Sequence, residues 1–220
     1  MTDCDALLAR MKNVVPADEV RYHEFFWRMI YAVYYDRVVA EIFTRLPGPV
    51  RSVVDCGAGY GYWSSFLAQR GLAVAAIDTQ ARCLEVLQAT ALATPAVTPV
   101  ERDIHDLGAL GQNAYDVAFS FATLHVARDP GRAMREMVAV TRIGGSIVIA
   151  LSNVQHPVNH AFWKGASNVN YDVTQDYIDA TLASQCSLVL RHDCYPSDNR
   201  ILAAYGEIPL LTFSVHQKRS

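Results

Sequence analysis

The chain holds 220 residues, 51% of them hydrophobic and 19% charged, enough for one full core or at most two small ones, which excludes a disordered or fibrous chain. Its 22 acidic and 19 basic residues leave a formal charge of −3. No global positive field gathers nucleic acid or an anionic membrane, so the expected partner is a small molecule or another protein.

Before position 50 the pattern is helical: Phe26, Ile30, Val33, Tyr34, Val38, Ile42 and Leu46 recur at three- and four-residue steps, and Pro47-Gly48-Pro49 ends the run. Short β-rich runs then alternate with amphipathic stretches. Residues 52–55 and 74–78 read as strands, each followed by a helix, the first through Phe66 and Leu67 and the second through Leu84, Leu87 and Leu92; 97–101 reads as a third strand. A fourth strand is expected at 115–120. Asp129-Pro130 opens a helix over 130–142 that Gly144-Gly145 closes, and 146–151 forms the fifth strand. Residues 152–172 read as a long loop or broken helix, 174–185 as a helix, 187–193 and 210–216 as strands, and 194–209 as a loop or hairpin. The alternation is that of βαβ units around a parallel sheet.

Five cysteines, Cys4, Cys56, Cys83, Cys186 and Cys194, are odd in number and include no C-x-x-C pair. They read as reduced thiols, and no structural zinc site is expected. His156 and His160 stand four apart, but Pro157 intervenes and no third ligand is near, so no metal is expected there. The first twenty residues carry Asp3, Asp5, Asp18 and Glu19, and no run of 18 apolar residues occurs. A cytoplasmic protein without a membrane span is the expectation.

The most informative segment is Val53-Val54-Asp55-Cys56-Gly57-Ala58-Gly59-Tyr60-Gly61, a strand running into a glycine turn and then a helix. Such a turn lets backbone approach a ligand at the carboxyl edge of a sheet. Asp55 sharpens the reading. A carboxylate beside the place where a dinucleotide puts its pyrophosphate repels it, and suits a cationic ligand instead.

At this point the sequence resembles the class I, Rossmann-like S-adenosylmethionine-dependent methyltransferases, particularly the small ones that act on metabolites. Their acid-x-G-x-G-x-G motif is matched at every position from Asp55 through Gly57 and Gly59 to Gly61. The resemblance continues with Asp78, followed by Thr79, at the end of the second strand; Asp103 and Ile104 after the third; Ser120 and then Leu124-His125 at the fourth; and Arg142-Ile143-Gly144-Gly145 before the fifth. It implies an α/β, doubly wound, mainly parallel seven-stranded sheet with an antiparallel last strand. Residues 1–49 would form an N-terminal helical lid on a cofactor domain, 50–220. It also implies that Asp78 accepts the ribose hydroxyls of S-adenosylmethionine, and that Asp103 accepts from the adenine amino group with Ile104 against the ring. Asp106 is the rival for that adenine contact, and Asp116 reads as structural.

His125, past the fourth strand, is the candidate general base or orienting group. Seven of the fourteen residues from Tyr22 to Tyr35 are aromatic. They read as a helix burying a sticky face, and in part as a lid that holds a sulfonium by cation–π attraction. Tyr22, Tyr31 and Tyr171 are selected there because a hydroxyl also bonds substrate. The expected activity is methyl transfer to a small-molecule acceptor, releasing S-adenosylhomocysteine, with a homodimer as one way of enclosing that acceptor. Two alternatives stand beside it. One is cyclisation of the cofactor to azetidine-2-carboxylate with release of methylthioadenosine; the other is a non-catalytic S-adenosylmethionine-binding partner protein.

Overall fold

Runs of valine, alanine and isoleucine too short for helices, each bounded by turn residues, become the strands. The computed structural model describes residues 4–157, 159–160, 168–196 and 208–220, and the chain divides into two compact units, Met1–Asp103 and Ile104–Ser220.

In the first unit β1 (Ser52–Cys56), β2 (Ala73–Asp78) and β3 (Val97–Glu101) run parallel in the order β3-β2-β1, with Val54 opposite Ala75 and Ile77 opposite Val100. Val53, Val54, Ala76 and Ile77 are fully buried, the continuous apolar signature of a strand covered on both faces. Helix α1 (Cys4–Met11) precedes the region where helical periodicity is legible. It buries Leu7, Leu8 and Met11, and Arg10 donates to Thr90 Oγ1 at 3.1 Å. The expected single helix before residue 50 is in fact three segments: α2 (Ala17–Phe26), a π-helical stretch (Trp27–Tyr35) and α3 (Asp36–Thr44). Apolar periodicity does not distinguish i→i+4 from i→i+5 bonding, and here the Asp36 N–H reaches back to the Tyr31 carbonyl. Helices α4 (Tyr62–Ala68) and α5 (Ala81–Ala93) follow β1 and β2, and α4 is buried along its whole length.

The second unit holds β4 (Tyr115–Phe121), β5 (Thr141–Ser152), β6 (Cys186–Cys194) and β7 (Leu211–Lys218) in the order β4-β5-β7-β6. The last strand in sequence lies antiparallel to both β5 and β6. The two units together contribute the seven strands of one mainly parallel sheet, the α/β architecture that the resemblance implies. Asp129 caps α6 (Pro130–Val140), its carboxylate accepting the Arg132 N–H at 2.8 Å, with Pro130 in the first turn. Helix α7 (Gln175–Leu182) is capped by Thr174. The expected loops at 152–172 and 194–209 fall partly on 158, 161–167 and 197–207, outside the described residues. All five cysteines are buried free thiols. Among the described residues no helix is long and apolar enough to cross a membrane.

One boundary differs from the expectation. Helix α6 ends at Val140 rather than at the glycines, because Thr141 already adopts extended backbone (φ −77°, ψ 134°) and its hydroxyl donates to the Met137 carbonyl at 2.7 Å. Lys218 Nζ then donates to the Val138 and Thr141 carbonyls at 2.8 and 2.9 Å, a cation on the helix's unpaired acceptors. The glycines serve a bulge instead: Tyr115 pairs with Thr141 but Val117 with Ser146. Arg142 Nε bonds Asp116 Oδ1 at 2.6 Å across it. A Cβ on Gly145 would lie 2.6 Å from the Asp116 carbonyl oxygen and 2.8 Å from Thr141 Cγ2. Gly145→Ala is therefore expected to destabilise the chain by about 1–3 kcal/mol, read as a lower urea midpoint with an unchanged slope; an unchanged midpoint would disprove the close approach.

Candidate functional site

The glycine turn leaves β1 with its first amides tied to β2: Gly57 and Ala58 both donate to the Ile77 carbonyl, at 3.0 and 2.9 Å. Gly57, Gly59 and Gly61 all have positive φ. At Gly61 a Cβ would lie 2.7 Å from Leu87 Cδ2, so this glycine serves packing. Gly59, with φ +53°, has nothing within 4 Å of the place a Cβ would take. Its backbone faces open space, which a ligand can use.

Asp78 at the end of β2 shapes that turn. Its Oδ2 accepts the Gly59 N–H and its Oδ1 the Gln80 N–H, both at 2.9 Å. A carboxylate offers about four lone-pair sites, so each oxygen keeps one, a pattern that fits the two hydroxyls of a vicinal diol. Thr79 is exposed beside it. Arg102 N–H donates to the Asp78 carbonyl at 3.1 Å, which brings half-buried Asp103 just past β3. No helix spans 102–107, and Asp106, the rival for the adenine contact, is exposed.

Asp55 is almost entirely inside, at 1% exposure, and its Oδ2 accepts the Ser64 hydroxyl at 2.6 Å. Burial pushes its pKa up to about 7; the Ser64 bond opposes this and the Asp78 charge reinforces it. Among the described residues Asp55 accepts from the Ser64 hydroxyl and caps no backbone amide. It is a buried acid whose raised pKa an incoming cation would lower.

The aromatic helices contribute groups that spacing did not reveal. Glu19 of α2 accepts from Tyr60, the middle residue of the glycine turn, at 2.6 Å, and from Arg82 at 2.9 Å. The His23 ring meets Tyr60 edge-on at 5.0 Å, and burial pushes its pKa down to about 4. Tyr31 stacks on Trp63 at 5.4 Å and meets Tyr62 edge-on at 5.2 Å; Tyr62 donates to Asp36 at 2.8 Å. Tyr22 packs on Phe26 at 4.5 Å. Burial raises the pKa of both Tyr22 and Tyr31, and for Tyr22 the neighbouring Tyr31 adds to it. The structure therefore brings these two predicted tyrosines together, in the same unit as the turn. Glu19 and Arg82 lie 41 and 22 residues from Tyr60 in sequence, beyond any local signal.

In the second unit Ile104 is half-buried. Ser120 is buried near the end of β4 opposite Ile149, its hydroxyl without a hydrogen bond among the described residues. Ala122 follows in left-handed conformation (φ +53°), its N–H bonded to the Ala150 carbonyl at 2.8 Å. This outlier aims the chain into the short 3₁₀ turn Leu124–Val126. His125 within that turn is fully buried, and burial pushes its pKa down to about 4. A ring whose conjugate acid is so weak suits orienting by hydrogen bonds better than carrying a proton at neutral pH. Its carbonyl accepts the Asn170 N–H at 2.6 Å, which places Tyr171, 40% exposed, in the adjoining chain. Asp116, bonded to Arg142, is structural.

Residues 54–149 match the family described as a methyltransferase domain. An uncharacterized methyltransferase of Mycobacterium tuberculosis is 35% identical over 102 residues, 46% of this chain and 40% of that protein. The ubiquinone biosynthesis O-methyltransferase of Vibrio parahaemolyticus is 29% identical over 104 residues, 47% of this chain and 44% of its own. The chain thus spans less than half the length of these curated relatives. Among solved structures, an S-adenosylmethionine-dependent methyltransferase from Mesorhizobium loti shares the fold with a TM-score of 0.69 and 19% identity, over 84% of this chain and 98% of that one.

The buried acid makes stability depend on pH. Between the unfolded carboxyl value of 3.8 and the folded value of about 7, the native state binds more protons, so stability falls as pH rises through that window and levels off above it. The loss is up to about 4 kcal/mol. Urea unfolding across pH 4 to 8 is expected to show that slope in the wild type and a flattened one in Asp55→Asn; equal slopes would contradict the burial of this charge.

Proposed function

We propose, from the methyltransferase domain that this chain carries over residues 54–149, that its glycine turn binds S-adenosylmethionine and that the protein transfers the methyl group to a small-molecule acceptor. The observation that carries this is the pair of carboxylates at the turn, Asp55 beneath it and Asp78 bonded to Gly59. Two acids repel a pyrophosphate and attract a ligand that bears ammonium and sulfonium charges. The spare lone pairs of Asp78 fit its ribose diol, and the open side of Gly59 gives it backbone to lie against.

S-adenosylmethionine, when bound, supplies a methyl group already attached to a good leaving group. Asp78 holds the ribose hydroxyls while keeping the turn in shape. Asp55 ionises in response to the incoming cation. Tyr22 and Tyr31, on a lid formed by residues 1–49, present ring faces and hydroxyls, each face contributing on the order of 0.5–2 kcal/mol toward a cation when water is excluded. Gly57, Gly61 and Thr79 shape the same edge, and Asp103 accepts from the adenine amino group. The resemblance supports the remaining assignments: Ile104 and Ser120 toward the cofactor, and His125 with Tyr171 toward the acceptor. Alignment and exclusion of water supply the acceleration, so no strong base is required. The small-molecule class is supported by the relative named for O-methylation in ubiquinone biosynthesis.

Asp78→Ala is expected to weaken S-adenosylmethionine binding by about 1.5–3 kcal/mol in calorimetry; unchanged affinity would remove Asp78 from the site. Gly59→Ala is expected to abolish binding while the chain stays folded. Mass spectrometry of nucleosides then identifies the reaction. S-adenosylhomocysteine formed only with an acceptor supports methyl transfer. Methylthioadenosine from S-adenosylmethionine alone identifies cyclisation of the cofactor instead, and binding without turnover on any acceptor identifies a non-catalytic partner.

A further inference from the structure

The turns after β1 and β2 are held together twice. Asp78 joins them through the backbone, accepting the Gly59 amide on Oδ2 and the Gln80 amide on Oδ1. Glu19 of α2 joins them again through side chains: its Oε1 accepts the hydroxyl of Tyr60, the neighbour of Gly59, at 2.6 Å, and its Oε2 accepts Arg82 Nη1 at 2.9 Å. Arg82 in turn donates through Nε to Gln80 Oε1 at 3.3 Å. Both amides that aim the Asp78 carboxylate therefore belong to stretches of chain that Glu19 also holds.

The two arms of Glu19 are unequal. Tyr60 is buried, with the His23 ring of α2 edge-on to it at 5.0 Å. Burial, followed by the Glu19 bond itself, raises the Tyr60 pKa, so the phenol keeps its proton and donates. A short bond from a buried hydroxyl to a carboxylate is among the stronger kinds. The Arg82 side chain is 48% exposed against 25% for Glu19, and a surface pair of this sort contributes little. The Tyr60 arm therefore carries most of the restraint, and its ring reaches from the turn to α2, which the glycines on either side of it cannot do.

We infer that Glu19 is a positioning residue for cofactor recognition: by tying Tyr60 and Arg82 to α2 it holds the two turns at the separation that aims the remaining lone pairs of Asp78 at a vicinal diol. This role rests on the proposed reading of Asp78 as the ribose contact. A carboxylate that reads two hydroxyls must have its plane fixed, and two amides fix it only while their own stretches of chain are fixed. Glu19 touches no ligand atom in this role. Its effect reaches the ligand through Asp78, and so is confined to ligands that carry the diol.

The test is calorimetric titration of the full chain with S-adenosylhomocysteine and with its 2′,3′-dideoxy analogue, which offers Asp78 no hydroxyl. The wild type is expected to prefer the diol by about tenfold or more. Glu19→Ala should weaken S-adenosylhomocysteine about tenfold and the dideoxy analogue less than about twofold. Glu19→Gln, which keeps an acceptor for Tyr60, should lose about threefold on the diol ligand alone. Tyr60→Phe should match Glu19→Ala, with little further loss when the two are combined, and Arg82→Gln should cost under about twofold. Glu41→Gln, which breaks an exposed pair with Arg45 at the end of α3, should titrate like the wild type. If the wild type prefers the diol but the Glu19 variants weaken both ligands equally, or neither, Glu19 is structural only and the role is overturned; fully additive losses in the double variant overturn it too. A wild type that binds both ligands equally, or neither, removes the diol reading of Asp78 and this role with it.

Discussion

The carboxylate of Asp78 is the group on which the candidate site depends. One side chain at the end of β2 accepts the Gly59 amide on one oxygen and the Gln80 amide on the other, so the turn after β1 and the turn after β2 are shaped by a single anion. Charge-assisted bonds of this kind are stronger than neutral ones, and they are made before any ligand arrives. The remaining lone pairs are consequently presented in a fixed direction. The geometry that holds the loop is also the geometry that would read a diol, which joins folding and recognition in one residue.

Asp55 works against the fold rather than for it. A carboxylate buried beneath the turn with one hydroxyl partner is destabilised as an anion, and Asp78 nearby adds to the cost. A structure selected for stability alone would place an apolar residue there. Retaining the acid makes sense where a cation completes the site, since such a ligand relieves both desolvation and repulsion. The aromatic helices extend this logic: Glu19 ties α2 to Tyr60 and Arg82, so the elements that would cover a ligand are anchored to the loop that would hold it.

The second unit shows how a motif can carry packing rather than chemistry. The Gly144-Gly145 pair, read as a helix stop, lets β5 bulge beside β4, where Asp116 and Arg142 close the irregularity. Lys218 at the end of β7 supplies the helix stop instead by capping the last carbonyls of α6. His125, the candidate general base or orienting group, is fully buried, and burial lowers its pKa.

The sheet and the glycine turn were legible in sequence because both depend on short-range signals: β-branched runs between turn residues, a cap at Asp129-Pro130, and an acid and three glycines at fixed offsets. Such features are dictated by local sterics and by burial on two faces. The π-helical stretch, α1, the end of α6 and the Glu19–Tyr60–Arg82 tie were not legible. Each depends on which distant backbone or side chain supplies a hydrogen-bond partner, and apolar periodicity is silent on that. The residue types at the candidate site were therefore determined by the sequence itself. Tertiary structure decided their states, because burial, not spacing, raises the pKa of Asp55 and lowers that of His125, and packing decides which faces of the aromatic helices are left to solvent.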